Sequence, residues 1–124
     1  MSHQDAHPPL ARAALLHWQC RPLQPADAYP EAELQAQLSE FPGWGLSEGH
    51  LERCFRFPDF TATMRFVNAV ATLAEAQDHH PELTVGYDRC TVRWQTHSAG
   101  GITLNDFACA ALTDEAATTA ASSR

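Results

Sequence analysis

The sequence predicts a single α+β domain, in which a four-stranded antiparallel sheet has helices packed on one face. One observation is a pair of β-hairpin patterns, each made of two short alternating segments joined by a tight connection. Another is the helical periodicity of the segments that precede, separate and follow these hairpins. Because hairpins impose antiparallel pairing, the predicted order α-β-β-α-β-β-α excludes an alternating βα fold. A chain of 124 residues suits one such domain with its own core.

The first half of the domain begins with a helix and continues with a hairpin. Pro30 opens a segment whose apolar residues recur at helical spacing as far as Phe41, after which a Pro-Gly pair stops the helix. Residues 44–46 and 51–57 then have the pattern of two strands around a loop that contains glycine. Arg53 lies on the apolar side of the second strand, so the alternation there is imperfect.

The second half repeats this arrangement. Residues 60–79 form the longest periodic run and predict an amphipathic helix with Asp59 as its N-cap. Residues 83–87 and 90–96 alternate in polarity and predict the second hairpin. Residues 103–106 have the spacing of a capping box with Asp in place of Glu, which predicts the start of a last helix.

The two ends of the chain show less order in their sequence. We expect residues 1–28 to be a mostly irregular N-terminal extension, in which residues 11–18 form either a short helix or an edge strand. The domain itself is expected over residues 29–116. Residues 117–124 offer little to bury and predict a frayed tail.

Composition excludes several classes of function. The formal net charge of −7 argues against nucleic acid as a direct partner, because phosphate binding needs a basic surface. No segment approaches the roughly 20 apolar residues that cross a bilayer, so no membrane segment is expected. The N-terminus lacks the basic start of a secretory signal, and we therefore expect a cytoplasmic protein.

The four cysteines are widely dispersed and include no CxxC pair. Without a secretion signal, disulfides are not favoured, and we expect buried thiols that behave as small hydrophobes. The cysteines are Cys20, Cys54, Cys90 and Cys109.

Titratable groups are concentrated between residues 74 and 106. Glu75 precedes His79 by one helical turn, so the two share a face if the helix continues that far. Pro81 disfavours the α region for His80 and is expected to end the helix there. His97 is expected at the far end of the last strand, on the face opposite its apolar residues.

Each of these residues also has a structural interpretation. Asp106 suits a helix start whether or not it contacts a histidine. Glu75 could be solvated near the helix end, and Tyr87 and Trp94 are expected to pack rather than to stack on a ligand. A metal site is not expected, because the ligands would have to be assembled across loops and neither an HExxH motif nor a cysteine pair is present.

Taken together, the spaced residues of this region resemble the signature of the pterin-4a-carbinolamine dehydratases. The resemblance covers about residues 30–115. It departs at Asn105, where many members of that family have a basic residue. The matching positions are Glu75, His79-His80-Pro81, Tyr87, His97 and Asp106, supported by Gly43-Trp44, Phe55-Arg56-Phe57-Pro58-Asp59-Phe60, Ala74-Glu75 and Thr96-His97-Ser98 before Gly100-Gly101.

The resemblance implies the dehydration of a 4a-hydroxytetrahydropterin to the quinonoid dihydropterin, in tetrahydrobiopterin recycling and without a metal or organic cofactor. By the same similarity, His79 and His97 are general acid–base residues acting from different sides, and His80 binds the pterin and shares that role. Glu75 and Asp106 are expected to orient the histidines and raise their basicity, and Pro81 belongs to the supporting set.

Two further expectations concern partners. A small sheet covered on one side leaves edges unpaired, and relatives form dimers and tetramers, so we expect a homodimer or homotetramer. The alternative function is a non-catalytic pterin-binding or protein-interaction module on the same fold, of the transcriptional coactivator or assembly-factor type. A degenerate histidine set would favour that alternative, whereas all three histidines are present here.

Overall fold

The computed structural model describes residues 8–122, over which an antiparallel sheet is covered by helices on one face. The strands lie in the order β1-β2-β4-β3. The predicted α+β class is therefore confirmed, with one additional short helix near the N-terminus. In chain order the elements are α1 (Arg12–Leu15), α2 (Glu31–Leu38), β1 (Gly45–Ser47), β2 (His50–Arg56), α3 (Phe60–Gln77), β3 (Glu82–Val85), β4 (Arg89–Trp94) and α4 (Leu104–Ser122), with 3-10 turns at Pro25–Asp27 and His97–Ala99.

The core lies between the sheet and the helix pair α3 and α4. Strand residues alternate between the two faces, so Phe55 of β2 and Trp94 of β4 point toward the helices and are buried. Phe66 of α3 meets Phe55 with ring centroids 4.8 Å apart. Phe107, in the first turns of α4, is fully buried and packs against Phe41. The segment after β4 and the first turn of α4 both contribute to the site described below.

Arg53 faces this covered side, which explains the imperfect alternation of β2. Its Nη1 donates to Asp114 Oδ1 of α4 at 3.0 Å, and Trp44 Nε1 donates to the same oxygen at 3.0 Å. The guanidinium also lies 4.7 Å from the centroid of the Phe55 ring. A buried carboxylate on α4 thus allows a charged side chain on an otherwise apolar strand face.

The two ends of α3 are defined by aspartates. Asp59 is the predicted N-cap, and its side chain accepts the N–H of Ala62 at 2.9 Å. The C-terminal end is earlier than predicted: Asp78 adopts a left-handed conformation with φ 50° and ψ 44°, and helical residues stop at Gln77. The helix therefore ends through this left-handed turn, before the backbone restriction imposed by Pro81 applies.

The extension is packed against the domain along its described length. Residues 12–15 form α1, which decides between the two interpretations of this segment in favour of a helix. Leu15 and Leu23 are buried, and the indole of Trp18 donates to Asn105 Oδ1 at 3.0 Å. The first seven residues lie outside the described range.

The prediction of a frayed tail is wrong for residues 117–122, which continue α4. Ala120 is only 2% exposed and belongs to the core cluster. The run is rich in alanine, which has the highest helix propensity and can approach its neighbours closely. Residues 123 and 124 lie outside the described range.

The expectation of buried thiols holds for Cys90 and Cys109. It is wrong for Cys54, which is exposed because it occupies an outward position of β2 next to the inward Phe55. Cys20 is only partly buried. Among the helices of the described range, none combines the length and apolarity required to span a bilayer.

Candidate active site

The three predicted histidines line one cavity. It has a volume of about 530 Å³ and lies where the end of α3, the end of β4 and the extension meet. His79 and His80 enter it from the segment after α3, and His97 from the 3-10 turn after β4. The fold therefore brings together residues that are far apart in the sequence, as their spacing predicts.

His79 is held by a buried carboxylate. Its Nε2 lies 2.6 Å from Asp106 Oδ1, and the Asp106 side chain is fully buried. The imidazole is also nearly parallel to the indole of Trp94, with 5.4 Å between ring centroids and 11° between planes. One face of the ring and one nitrogen are thus fixed, which leaves Nδ1 as the nitrogen that could contact a substrate.

The other oxygen of Asp106 is fixed by two threonines. Asp106 Oδ2 accepts the backbone N–H of Thr103 at 2.9 Å and the hydroxyl of Thr96 at 2.7 Å. Because the Thr96 hydroxyl donates to the carboxylate, the Thr103 hydroxyl donates to Thr96 across the 2.7 Å between their oxygens. Thr103 Oγ1 in turn accepts the N–H of Asn105. The Asp106 half of the predicted capping box is present, whereas the Thr103 hydroxyl accepts from Asn105 N–H instead of Asp106 N–H, so Asp106 both caps the start of α4 and orients a histidine.

This carboxylate determines the acidity of His79. Burial alone would lower the pKa of His79, since it disfavours the charged imidazolium. The hydrogen bond and negative charge of Asp106, together with the charges of Cys20 and Asp78, outweigh burial, and the pKa of His79 is raised above its ordinary value. The side chain is 12% exposed, so the protonated ring is in contact with the cavity yet largely shielded from bulk water. Such a group can deliver a proton near neutral pH.

Glu75 pairs with His80 rather than with His79. The left-handed turn at Asp78 takes His79 off the helix face that it would share with Glu75. Glu75 Oε2 lies 2.8 Å from His80 Nε2, and the two side chains are 79% and 54% exposed. Water screens a pair of this kind strongly, so it orients His80 only weakly.

His97 begins a 3-10 turn, and β4 ends earlier, at Trp94. A bridge between Thr96 and Gly101 closes this turn. Thr96 is buried on the helix side while His97 is exposed, as parity along the strand predicts.

Not every predicted site residue belongs to the cavity wall. Among the described residues that line the cavity, Glu75, Pro81 and Asp106 are not included. Pro81 separates the two histidines from β3. Tyr87 packs against Phe60 with 6.4 Å between ring centroids, and it does so at the surface, since its side chain is 65% exposed. Trp94 is fully buried, as expected.

Part of the wall comes from residues 20–23 of the extension, which we call the N-terminal wall. Sequence reasoning missed it, because an irregular segment has no periodicity that would predict its position. Four hydrogen bonds to its backbone hold it in place. Cys20 N–H donates to Gln77 Oε1 at 2.8 Å, and Ser98 Oγ donates to Leu23 O at 2.7 Å. Asn105 Nδ2 donates to Arg21 O at 2.7 Å, and Arg21 N–H donates to Asn105 Oδ1 at 3.4 Å.

Asn105 is the one residue that could have indicated this wall. Its Oδ1 accepts the indole N–H of Trp18 and its Nδ2 donates to the carbonyl of Arg21, so both ends of the amide bind the extension. A lysine or arginine could donate to that carbonyl but could not accept from the indole. The departure at Asn105 therefore coincides with docking of the extension.

Comparison with known proteins identifies similar sequences of one family. Residues 27–116 match the family model described as Pterin 4 alpha carbinolamine dehydratase. Two curated relatives bear the name "Putative pterin-4-alpha-carbinolamine dehydratase". The one from Stenotrophomonas maltophilia is 51% identical over 108 residues, covering 85% of this chain and 89% of the relative. The one from Xanthomonas oryzae pv. oryzae is 53% identical over 85 residues, covering 67% and 72%.

A solved structure shares the fold. The crystal structure of a "transcriptional coactivator/pterin dehydratase" from Brucella melitensis superposes with a TM-score of 0.70 at 33% identity. The match covers 73% of this chain and 98% of that one. With the family model spanning most of the chain, these comparisons show that the protein belongs to the pterin 4 alpha carbinolamine dehydratase family.

Proposed function

We propose that this protein removes water from 4a-hydroxytetrahydropterin to give the quinonoid dihydropterin, by histidine general acid–base catalysis. The observation that supports this most is the His79–Asp106 pair at the wall of a cavity that His80 and His97 also line. Names of the relatives point to the same substrate class.

The reaction needs one proton delivered and one removed. The hydroxyl at C4a leaves as water only if it is protonated, and the C4a=N5 double bond forms as N5 loses its proton. His79 suits the acid role, because Asp106 stabilises its imidazolium and raises its pKa. Its Nε2 is occupied by Asp106, so the proton would leave from Nδ1. A positioned acid or base contributes about 10²–10⁴ in rate.

The base role falls to His97 in this proposal. It reaches the cavity from the turn after β4, whereas His79 comes from the end of α3, so the two can act on different sides of a flat pterin. His80 is more exposed and is only loosely oriented by Glu75, which suits a residue that binds the pterin and exchanges protons with solvent.

The wider context of the proposal follows from the family. We expect the reaction to take place in the cytoplasm, within tetrahydrobiopterin recycling, and to need no metal or organic cofactor. We also expect a homodimer or homotetramer, since strands β1 and β3 are the two edges of the sheet.

The direct test is the decay of 4a-hydroxytetrahydropterin generated enzymatically in the assay. Wild-type protein at micromolar concentration should accelerate this decay well beyond its spontaneous rate. An unchanged rate with folded protein would contradict the proposal.

A second candidate is a protein-interaction module of the coactivator type. It is favoured by the combined coactivator and dehydratase description of the Brucella melitensis protein. Saturable pterin binding without any acceleration of the decay would support this candidate over the enzyme. The intact histidine set and its ordered carboxylate favour the enzyme.

A further inference from the structure

Two cysteines meet where the N-terminal wall contacts α4. Cys20 Sγ lies 3.6 Å from Cys109 Sγ, although the residues are 89 positions apart in the sequence. Cys20 Sγ also lies 3.7 Å from the carbonyl oxygen of Asn105, the residue that binds the extension. A disulfide requires a sulfur separation of about 2.05 Å. The two sulfurs are already in contact, so about 1.5 Å of further approach would close the bond.

The two thiols differ in a way that suits stepwise oxidation. Cys20 lines the cavity and is only partly buried, whereas Cys109 is fully buried one helical turn after Asn105. A small oxidant that enters the cavity would therefore meet Cys20 first. A hydrogen bond from the Cys109 thiol lowers the pKa of Cys20 against the effect of burial, and the charge of His79 lowers it further. The pKa of Cys109 is raised by the same hydrogen bond and by burial.

We propose that Cys20 and Cys109 form a peroxide-sensitive dithiol that reversibly locks the N-terminal wall to α4. The Cys20 thiolate attacks one oxygen of hydrogen peroxide, breaking the O–O bond and giving a sulfenic acid and hydroxide, which takes up the thiol proton to become water. The Cys109 sulfur then displaces the sulfenic hydroxyl and loses its own proton, which gives the disulfide and a second water. Two thiols are oxidised by two electrons and one peroxide is reduced to two waters.

The disulfide would form beside the cavity without direct contact with its histidines. Cys109 lies three residues after Asp106, so the disulfide would join the N-terminal wall to the same turns of α4 that hold His79. The inference does not depend on the proposed dehydration, because the bond itself can be observed. The proposal gives Cys20 and Cys109 a redox role, in addition to the packing role that the sequence predicts for them.

The test is peptide mapping of the full-length protein. Trypsin cuts after arginine but not before Pro22, and the chain contains no lysine, so each cysteine falls in its own peptide. Reduced protein is treated with dilute hydrogen peroxide, remaining thiols are blocked, and the digest is analysed by mass spectrometry. The main new product should join peptides 13–53 and 94–124, about 2 Da lighter than their sum, and dithiothreitol should release them. Cys54 and Cys90 lie in peptides 54–56 and 90–93 and serve as internal controls.

Two variants and a melting curve complete the test. Cys109→Ala should leave Cys20 as a sulfenic acid that dimedone traps, whereas Cys20→Ser should abolish both the dimedone adduct and the cross-link. Oxidised wild type should melt about 5 °C or more above the reduced form, since the bond closes a long loop. The proposal is overturned if peroxide converts Cys20 to sulfinic acid without joining Cys109, or joins it mainly to the exposed Cys54.

Discussion

Replacing Asp106 by Asn tests the acid role of His79 while changing the shape of the site very little. Asp106 is fully buried and accepts from Thr103 N–H and from Thr96. In the variant the amide oxygen can keep those two bonds, so its NH₂ group faces His79 Nε2. An amide donor requires that nitrogen to be an acceptor, which moves the remaining ring proton to Nδ1 and disfavours the imidazolium.

The expected effect on turnover follows from the loss of the protonated form of His79. Without the carboxylate, burial is the main influence left on His79, and its pKa should fall below the ordinary value. Turnover at neutral pH should then fall by about 10²-fold or more, within the range of a positioned acid. If His79 is the acid, the alkaline limb of the wild-type pH profile reports its raised pKa, and that limb should move to lower pH in the variant.

The same substitution should change stability in a pH-dependent way. A hydrogen bond to a charged partner is typically worth about 1.5–3 kcal/mol, which bounds the loss in free energy of unfolding. Because the pKa of His79 is raised in the folded state, the contribution is fully present below the unfolded value of about 6.5. It is lost as pH rises through the raised folded value, so the difference from wild type should be larger at about pH 6 than at about pH 9.

The assay combines urea unfolding at these two pH values with pterin turnover across the same range. Asp114→Asn is the matched control, because Asp114 is another buried carboxylate of α4 but bonds Trp44 and Arg53 away from the cavity. It should lose stability and keep its turnover per folded molecule. An Asp106→Asn protein with wild-type turnover and an unmoved alkaline limb would refute the acid role of His79.

Three other predictions concern assembly, cofactors and the helical tail. Light scattering at micromolar concentration should find at least a dimer, because two sheet edges are available for pairing, and a monomer would refute this. Extensive chelation should leave pterin turnover intact, because the proposed chemistry is proton transfer alone, whereas a loss that only zinc restores would contradict it. Ala120→Asp should lower the free energy of unfolding by about 1–3 kcal/mol, since it buries a polar group. The adjacent and exposed Ala121 gives the control Ala121→Asp, and equal stability of both variants would show that the tail does not pack.

Sequence patterns predicted the sheet and α3 because each buries one regular face, whereas the first turns of α4 are buried all round and its start was predicted from Thr103 and Asp106. The alternation of β2 and β4 and the period of α3 record that burial directly. Patterns failed where local backbone geometry decided the outcome. The left-handed residue Asp78 redirected the chain before Pro81, so Glu75 pairs with His80 and not with His79.

The sequence also did not predict the long-range contacts that irregular segments make. The N-terminal wall is held by hydrogen bonds with the side chains of Gln77, Ser98 and Asn105, and none of these contacts produces a periodic pattern in the sequence. The tail of α4 was misjudged for a related reason, since alanine contributes little to any hydrophobic pattern yet packs closely.

The central claim is that His79 and His97 perform the proton transfers. It is tested most directly by measuring the turnover of variants in which one histidine at a time is replaced. Replacing His79 or His97 by Ala should lower turnover of 4a-hydroxytetrahydropterin by about 10² or more. His80→Ala should act mainly through KM, and His50→Ala, at the start of β2, should change little. The double variant of His79 and His97 should lose less than the product of the single losses if both act in one step. Wild-type rates in both the His79 and the His97 variants, with folding intact, would contradict the account and leave a cavity that only binds.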